Sequence, residues 1–250
     1  MKERINMAQT IDNIVDPNDS SLTSEMVQFP GNAGNVSAYV SRPKEKKNLG
    51  TVIVIHENRG LVGHIKDVAR HFAKDGFAAI AVDCMGRVGG SDQYNGSDEA
   101  TEVIKKVNGG MVAEDLTTAM NYMKKQSYVN GKVGVVGYCW GGGQSLNFAT
   151  KCKDLNAAVV YYGRNPDPLD SVANIPCAVM GNYAEDDPNI MPGVEPLKAA
   201  MSKAGKSLDV KTYPGAKHAF NNNTNADRYN PEAAADAWGR TVSFFKKNLA

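Results

Sequence analysis

Val133-Gly134-Val135-Val136-Gly137-Tyr138-Cys139-Trp140-Gly141-Gly142 decides the fold of this chain. An apolar strand runs straight into Gly-x-Cys-x-Gly, and a helix-compatible run (Gln144, Leu146, Phe148, Ala149) follows at once. A strand that turns so abruptly into a helix strains the backbone at the apex and draws the helix close behind the strand. Two positions before and two after the apex then admit only residues without a bulky side chain, here Gly137 and Gly141. Cys139 occupies the apex, where a nucleophile would be displayed, and the turn aims the amide of Trp140 at a carbonyl under attack. The helix N-terminus adds positive potential that favours thiolate. The plainer reading is a buried structural cysteine in a glycine-rich turn, so partners for the sulfur must be sought along the rest of the chain.

Outward from this turn, short apolar runs alternate with helix-period segments, the mark of a mostly parallel sheet covered on both faces. Strands are expected at Met26–Phe29, Val36–Ser41, Thr51–His56, Phe77–Asp83, Lys132–Gly137, Ala157–Tyr161, Cys177–Gly181 and Asp209–Tyr213. The first two flank Pro30-Gly31-Asn32 and read as an antiparallel hairpin. Helices are expected near His64–Asp75, Met111–Lys125, Gln144–Lys151, Pro196–Ala204 and Pro231–Asn248. In the first of these, Ile65, Val68, Ala69 and Phe72 form one apolar stripe, and His64, Asp67 and His71 read as a solvated polar face. Two histidines and an acid at that spacing also permit a metal, the weaker reading, and none is assigned. The glycine-rich loop Met85–Asn95 follows a strand end and is expected to overhang the functional site.

A chain of 250 residues with 42% hydrophobic residues fills one sizeable α/β core. Residues 1–22 read as a polar, loosely ordered arm and residues 23–250 as a single domain. With 28 basic and 27 acidic residues, and no basic stripe, the chain is not built for nucleic acid or a membrane surface. No apolar run approaches the roughly 18 residues of a membrane span. The opening Met1-Lys2-Glu3-Arg4-Ile5-Asn6 lacks the apolar core of a secretory signal. Cys84, Cys139, Cys152 and Cys177 show no CxxC or framework spacing, which suits reduced thiols and a cytoplasmic location. The Asn-x-Ser/Thr triplets at Asn18, Asn35, Asn95 and Asn222 are then chance matches.

Functional groups in such sheets gather at the carboxyl ends of the strands. His218 stands just past the last expected strand, in Tyr213-Pro214-Gly215-Ala216-Lys217-His218-Ala219-Phe220. It could draw the thiol proton of Cys139 or stabilise the thiolate as imidazolium. The loop Gly181-Asn182-Tyr183-Ala184-Glu185-Asp186-Asp187-Pro188 offers three adjacent acids to hold the imidazole tautomer. Tyr138, Trp140 and Tyr162 are aromatic candidates for the pocket wall.

At this point the chain resembles the dienelactone hydrolase family over most of its length. The resemblance is carried by Gly137-Tyr138-Cys139-Trp140-Gly141-Gly142, His56-Glu57-Asn58-Arg59-Gly60, Asp83-Cys84-Met85-Gly86-Arg87, Tyr161-Tyr162-Gly163, Asp187 with Ile190, and Tyr213-Pro214-Gly215 leading to His218-Ala219-Phe220. It implies an α/β-hydrolase fold, with a mostly parallel eight-stranded sheet and helices on both faces. The order nucleophile, acid, histidine is that of the α/β-hydrolases. The family places an isoleucine three residues after its acid, which favours Asp187 over Asp186. It also implies that Glu57 contacts the resting thiol and helps generate thiolate once substrate binds. Asn58 would lend its backbone amide to an oxyanion hole beside that of Trp140. Arg87 falls where the family has a carboxylate-binding arginine. A second arginine of the dienelactone-processing members is replaced by Asn222, so the expected substrates are neutral lactones or esters, or anionic dienelactones with a raised KM.

Two functions fit these residues. The leading one is a cysteine hydrolase that cleaves small-molecule esters or lactones through a thioester acyl-enzyme, with no cofactor. The other is a non-catalytic or redox-regulated protein of the same fold, in which Cys139 is an oxidisable thiol.

Overall fold

The computed structural model describes residues 13–250. Eight strands form one sheet in the order β1-β2-β4-β3-β5-β6-β7-β8. They are β1 (Leu22–Gly31), β2 (Gly34–Pro43), β3 (Leu49–Ile55), β4 (Ala78–Val82), β5 (Val129–Tyr138), β6 (Ala157–Tyr161), β7 (Ala178–Asp186) and β8 (Leu208–Lys217). β1 pairs antiparallel with β2, and β2 with β4; from β4 to β8 every pairing is parallel. The expected hairpin is present, with Gly31 opposite Gly34.

Seven α-helices accompany the described strands: α1 (Gly63–Lys74), α2 (Ser91–Tyr94), α3 (Asp98–Val103), α4 (Gly109–Lys124), α5 (Trp140–Ala149), α6 (Val194–Lys203) and α7 (Pro231–Leu249). The core is split by the sheet. On one face Ile65, Val68 and Phe72 of α1 pack with Trp238 and Phe245 of α7. On the other, Leu116 and Met120 of α4 meet Leu146 of α5 and Leu197 of α6. β3, buried along its whole length, reads Leu-Gly-Thr-Val-Ile-Val-Ile, the continuous apolar run of a strand covered on both sides.

Two expectations change here. The polar face of α1 is not solvated: His64, Asp67 and His71 are all buried. The chain before β1 covers it. Val15 N–H donates to Asp67 Oδ1 at 2.9 Å, Arg70 Nε donates to Val15 O at 2.8 Å, and Lys74 pairs with Asp19 at 2.9 Å. The loosely ordered arm therefore does not extend over residues 13–21, and the rest of that expectation, residues 1–12, lies outside the described residues. Each of these contacts has at least one charged partner, which strengthens the hydrogen bonds that hold this polar segment down.

Candidate active site

β5 delivers Cys139 to the carboxyl edge of the sheet. Its backbone sits at φ 57°, ψ −116°, a conformation that costs a non-glycine residue on the order of 1–3 kcal/mol and survives only where surrounding packing imposes it. That packing is visible in the glycines. A Cβ on Gly137 would overlap the Gly141 carbonyl oxygen, and one on Gly141 would overlap the carbonyl oxygens of Ile55 and His56. Neighbouring Tyr162 (φ 39°) and Ala219 (φ 68°) are strained in the same sense, so three of the five described non-glycine residues with positive φ gather here.

The ends of β7 and β8 supply the partners. His218 Nδ1 donates to Asp187 Oδ2 at 2.5 Å, and His218 Nε2 lies 3.0 Å from Cys139 Sγ. With the Nδ1 proton held by a carboxylate, Nε2 is the nitrogen that can accept a proton from sulfur. Of the three adjacent acids, Asp187 alone reaches the histidine and is buried; Glu185 and Asp186 are exposed. Glu185 accepts from the Gly215 amide instead. Tyr162 is fully buried, its ring 5.0 Å from that of His218, and it forms a wall of the site.

Burial, first of all, and the nearby charge of Glu57 push the Cys139 thiol up to about 12. The backbone amides of Trp140 and Asn58 act in the opposite direction, since both point at the sulfur. Two N–H groups converging on one point from separate loops can equally receive a developing oxyanion. Glu57 itself is half-buried, and desolvation raises its carboxyl from 4.5 to about 7 despite the Asn222 hydrogen bond that opposes the shift.

The structure departs from the sequence at four places. Glu57 makes no hydrogen bond to Cys139; its Oε2 accepts from Asn222 Nδ2 at 2.7 Å and its Oε1 is buried without a partner. Asn222 is thus engaged with Glu57 rather than facing substrate, because a buried carboxylate needs a donor. Arg87 is outside the site, held by Asp115 at 2.8 Å and Glu114 at 2.8 Å, which raise its pKa. Nor does the 85–95 loop overhang: a cavity of about 1050 Å³ opens over Cys139, and it is walled by Thr101, Ile104, Lys105 and Asn108–Gly110. The cavity also holds Lys151, Arg164 and Arg228, cations that sequence reasoning missed because each sits alone in an unremarkable loop or helix end. Its remaining wall includes Trp140, Gln144, Asn147 and Ile190.

The sequence pattern of the dienelactone hydrolase family matches residues 36–249. The chain belongs to that family. A protein of Saccharolobus solfataricus named "Putative carboxymethylenebutenolidase" is 32% identical over 257 residues, covering 88% of this chain and 96% of its own length. One of the same name from Methylorubrum extorquens is 31% identical, covering 91% and 82%. Among solved structures, a "Putative Dienelactone Hydrolase" from Klebsiella pneumoniae superposes with a TM-score of 0.84 at 28% identity, covering 90% of this chain and 99% of its own. A dienelactone hydrolase from Anabaena variabilis, at 17% identity and a TM-score of 0.69, shares the fold. This dienelactone hydrolase-like chain is accordingly an α/β-hydrolase-fold hydrolase. Among its described residues, no helix is long and apolar enough to cross a membrane.

Proposed function

We propose that the protein cleaves small-molecule esters or lactones through a thioester on Cys139. The observation that carries this reading is the linear contact from Asp187 through His218 to the sulfur, at 2.5 and 3.0 Å. In the first half, His218 Nε2 takes the thiol proton as Sγ bonds to the carbonyl carbon. The carbonyl oxygen gathers negative charge facing the amides of Trp140 and Asn58. Collapse breaks the bond to the alkoxide, which leaves with the proton from His218, and an acyl thioester remains. For a lactone the alkoxide stays tethered to the acyl group. In the second half water gives a proton to His218 and attacks the thioester; the acid departs and the thiol is restored. Asp187 holds the imidazole in the tautomer both halves require.

Glu57 restrains this chemistry at rest. Its charge disfavours thiolate, so the sulfur stays protonated and slow to oxidise until a substrate arrives. A thiol held protonated also counts against Cys139 as a redox sensor, which wants a low pKa.

Substrate charge is no longer governed by Arg87 and Asn222, on which the expectation of neutral substrates rested. Lys151, Arg164 and Arg228 have no salt bridge among the described residues and line the cavity, with Tyr162 and Ile190 as apolar surface. An ester or lactone with an anionic group suits this wall.

The reading is tested by turnover of p-nitrophenyl acetate and of a lactone panel by the parent and Cys139→Ala. Cys139→Ala should abolish hydrolysis, by about 10⁶-fold, without moving the melting temperature by more than a few degrees. Hydrolysis near the parental rate would end the assignment of Cys139.

A further inference from the structure

His56 follows directly on β3 and is fully buried, yet no catalytic contact explains it. Its ring nitrogens have unlike partners. The Cys84 N–H donates to Nε2 at 3.1 Å, which makes Nε2 the acceptor and leaves the proton on Nδ1. Nδ1 therefore donates, to the Glu57 carbonyl oxygen at 2.6 Å. Burial lowers the His56 pKa, so the ring stays neutral and this single tautomer persists.

The Glu57 carbonyl and the Asn58 N–H belong to one peptide group. A hydrogen bond accepted at a peptide oxygen polarises the group and strengthens the hydrogen bond its N–H can give, by about 10–30% in condensed phase. Gly60 N–H also reaches this carbonyl, at a longer 3.3 Å. The same imidazole stacks on Trp140, with ring centroids 5.5 Å apart and planes 14° from parallel. Trp140 carries the other amide that points at the sulfur. One side chain thus touches both halves of the proposed oxyanion hole, which come from loops 82 residues apart in the numbering of Asn58 and Trp140.

We infer that His56 is a positioning residue of the oxyanion hole: its Nδ1–H orients and polarises the Glu57–Asn58 peptide, while its ring face fixes Trp140. This rests on the proposed acyl-transfer function of Cys139. Losing an oxyanion donor outright costs about 10²–10³ in kcat; a residue that acts through a donor should cost less, on the order of ten- to a hundredfold.

Three substitutions separate the contacts. His56→Phe keeps a ring on Trp140 and removes both hydrogen bonds. His56→Asn restores a donor near the Nδ1 position, and His56→Gln restores an acceptor near Nε2. Each is assayed for kcat and KM on p-nitrophenyl acetate and for alkylation of Cys139 by iodoacetamide. Alkylation is displacement at a saturated carbon and makes no oxyanion, so it reports the nucleophile alone. The expected result is a fall in kcat for His56→Phe and His56→Gln with KM nearly unchanged, recovery of most of the rate in His56→Asn, and a fall in alkylation much smaller than that in kcat, since the Asn58 amide also touches the resting sulfur. Equal behaviour of the Asn and Gln variants, a parallel fall of alkylation and kcat, or an unaffected kcat would each overturn the inference. If His56→Phe fails to fold, the Asn and Gln pair still decides. Cys139→Ala runs alongside: turnover there would strike the acyl-transfer reading itself, whereas a dead Cys139→Ala with a fully active His56→Gln would strike only the role of His56.

Discussion

Two histidine–aspartate pairs among the described residues invite comparison, one buried on α1 and one half-open at the candidate site. On α1, His71 Nε2 lies 3.4 Å from Asp67 Oδ2 within one regular helix, at i and i+4. At the carboxyl edge of the sheet, His218 and Asp187 come from separate loops and meet at 2.5 Å. The first pair is enclosed by protein: Asp67 also accepts from Val15 N–H and Arg70, and His71 Nε2 faces the Asn13 carbonyl at 2.9 Å. The second keeps one imidazole nitrogen on a thiol and a cavity beyond it. The residue types are alike, so they do not confer function. What differs is the backbone beneath them: the first pair lies along one regular helix, while strained elbows at Cys139, Tyr162 and Ala219, imposed by the packing around them, bring groups from separate loops together.

Neutralising the acid in each pair gives the largest contrast. Asp187→Asn should lower kcat by about 10³–10⁴ by analogy with other orienting carboxylates, and exposed Asp186→Asn should leave it within twofold. Asp67→Asn should instead leave kcat unchanged and cost stability, about 1–3 kcal/mol for hydrogen bonds to charged partners, measured by urea unfolding. A catalytic defect in Asp67→Asn would show that the α1 cluster communicates with the site and would dissolve the distinction.

How much of this was legible beforehand follows the same line. The elbow could be read because Gly137, Cys139 and Gly141 are adjacent and each is required by local backbone geometry. His218 and the acidic loop could be read because the sheet topology fixes where strand ends go. Asp187 could be preferred to Asp186 through its Ile190 match, and burial then agreed. Arg87 and Asn222 failed for one reason. Their roles depend on which buried carboxylate needs a partner, Asp115 for one and Glu57 for the other, and no local pattern encodes that long-range pairing. The strands came out two to five residues longer at several ends, as with β7 reaching Asp186, since edge pairing continues past the apolar run. His56 was quoted only as part of a motif, because a neutral buried histidine has no signature in sequence.

The buried carboxylate of Glu57 sharpens the contrast in a second way, by setting stability against control of the thiol. A folded-state value of about 7 against an ordinary 4.5 means the folded chain holds this proton more tightly than the unfolded one. Below about pH 4.5 both states are protonated and there is no cost. Stability is lost as pH rises from about 4.5 through 7, reaching about 3 kcal/mol above that. Glu57→Gln removes the ionisation and still accepts from Asn222. It should be more stable than the parent at pH 8, little different at pH 4, and alkylated faster by iodoacetamide because the charge opposing thiolate is gone. A variant no more stable at pH 8, with unchanged alkylation, would show that Glu57 is neither ionised nor felt by the sulfur.

The smallest expected effect concerns the cavity wall. Arg164 follows the Tyr161-Tyr162-Gly163 step and is exposed at the cavity, without a carboxylate in salt-bridge range among the described residues. Asp67 has Arg70 as a permanent counter-ion; the site has no such partner for Arg164, so an anionic substrate would fill that place. An exposed charge pair is screened, and a charge-assisted contact there is worth about 1 kcal/mol, or roughly fivefold in binding. Arg164→Gln should therefore raise KM about fivefold for a carboxylated lactone, leave KM for a neutral lactone of equal ring size unchanged, and leave kcat alone for both. Added salt should close the gap in the parent, because the contact is accessible to ions. If KM rises equally for both lactones, Arg164 shapes the cavity rather than recognising charge. The anionic preference would then have to come from Lys151 or Arg228, which the same pair of substrates can assign one substitution at a time.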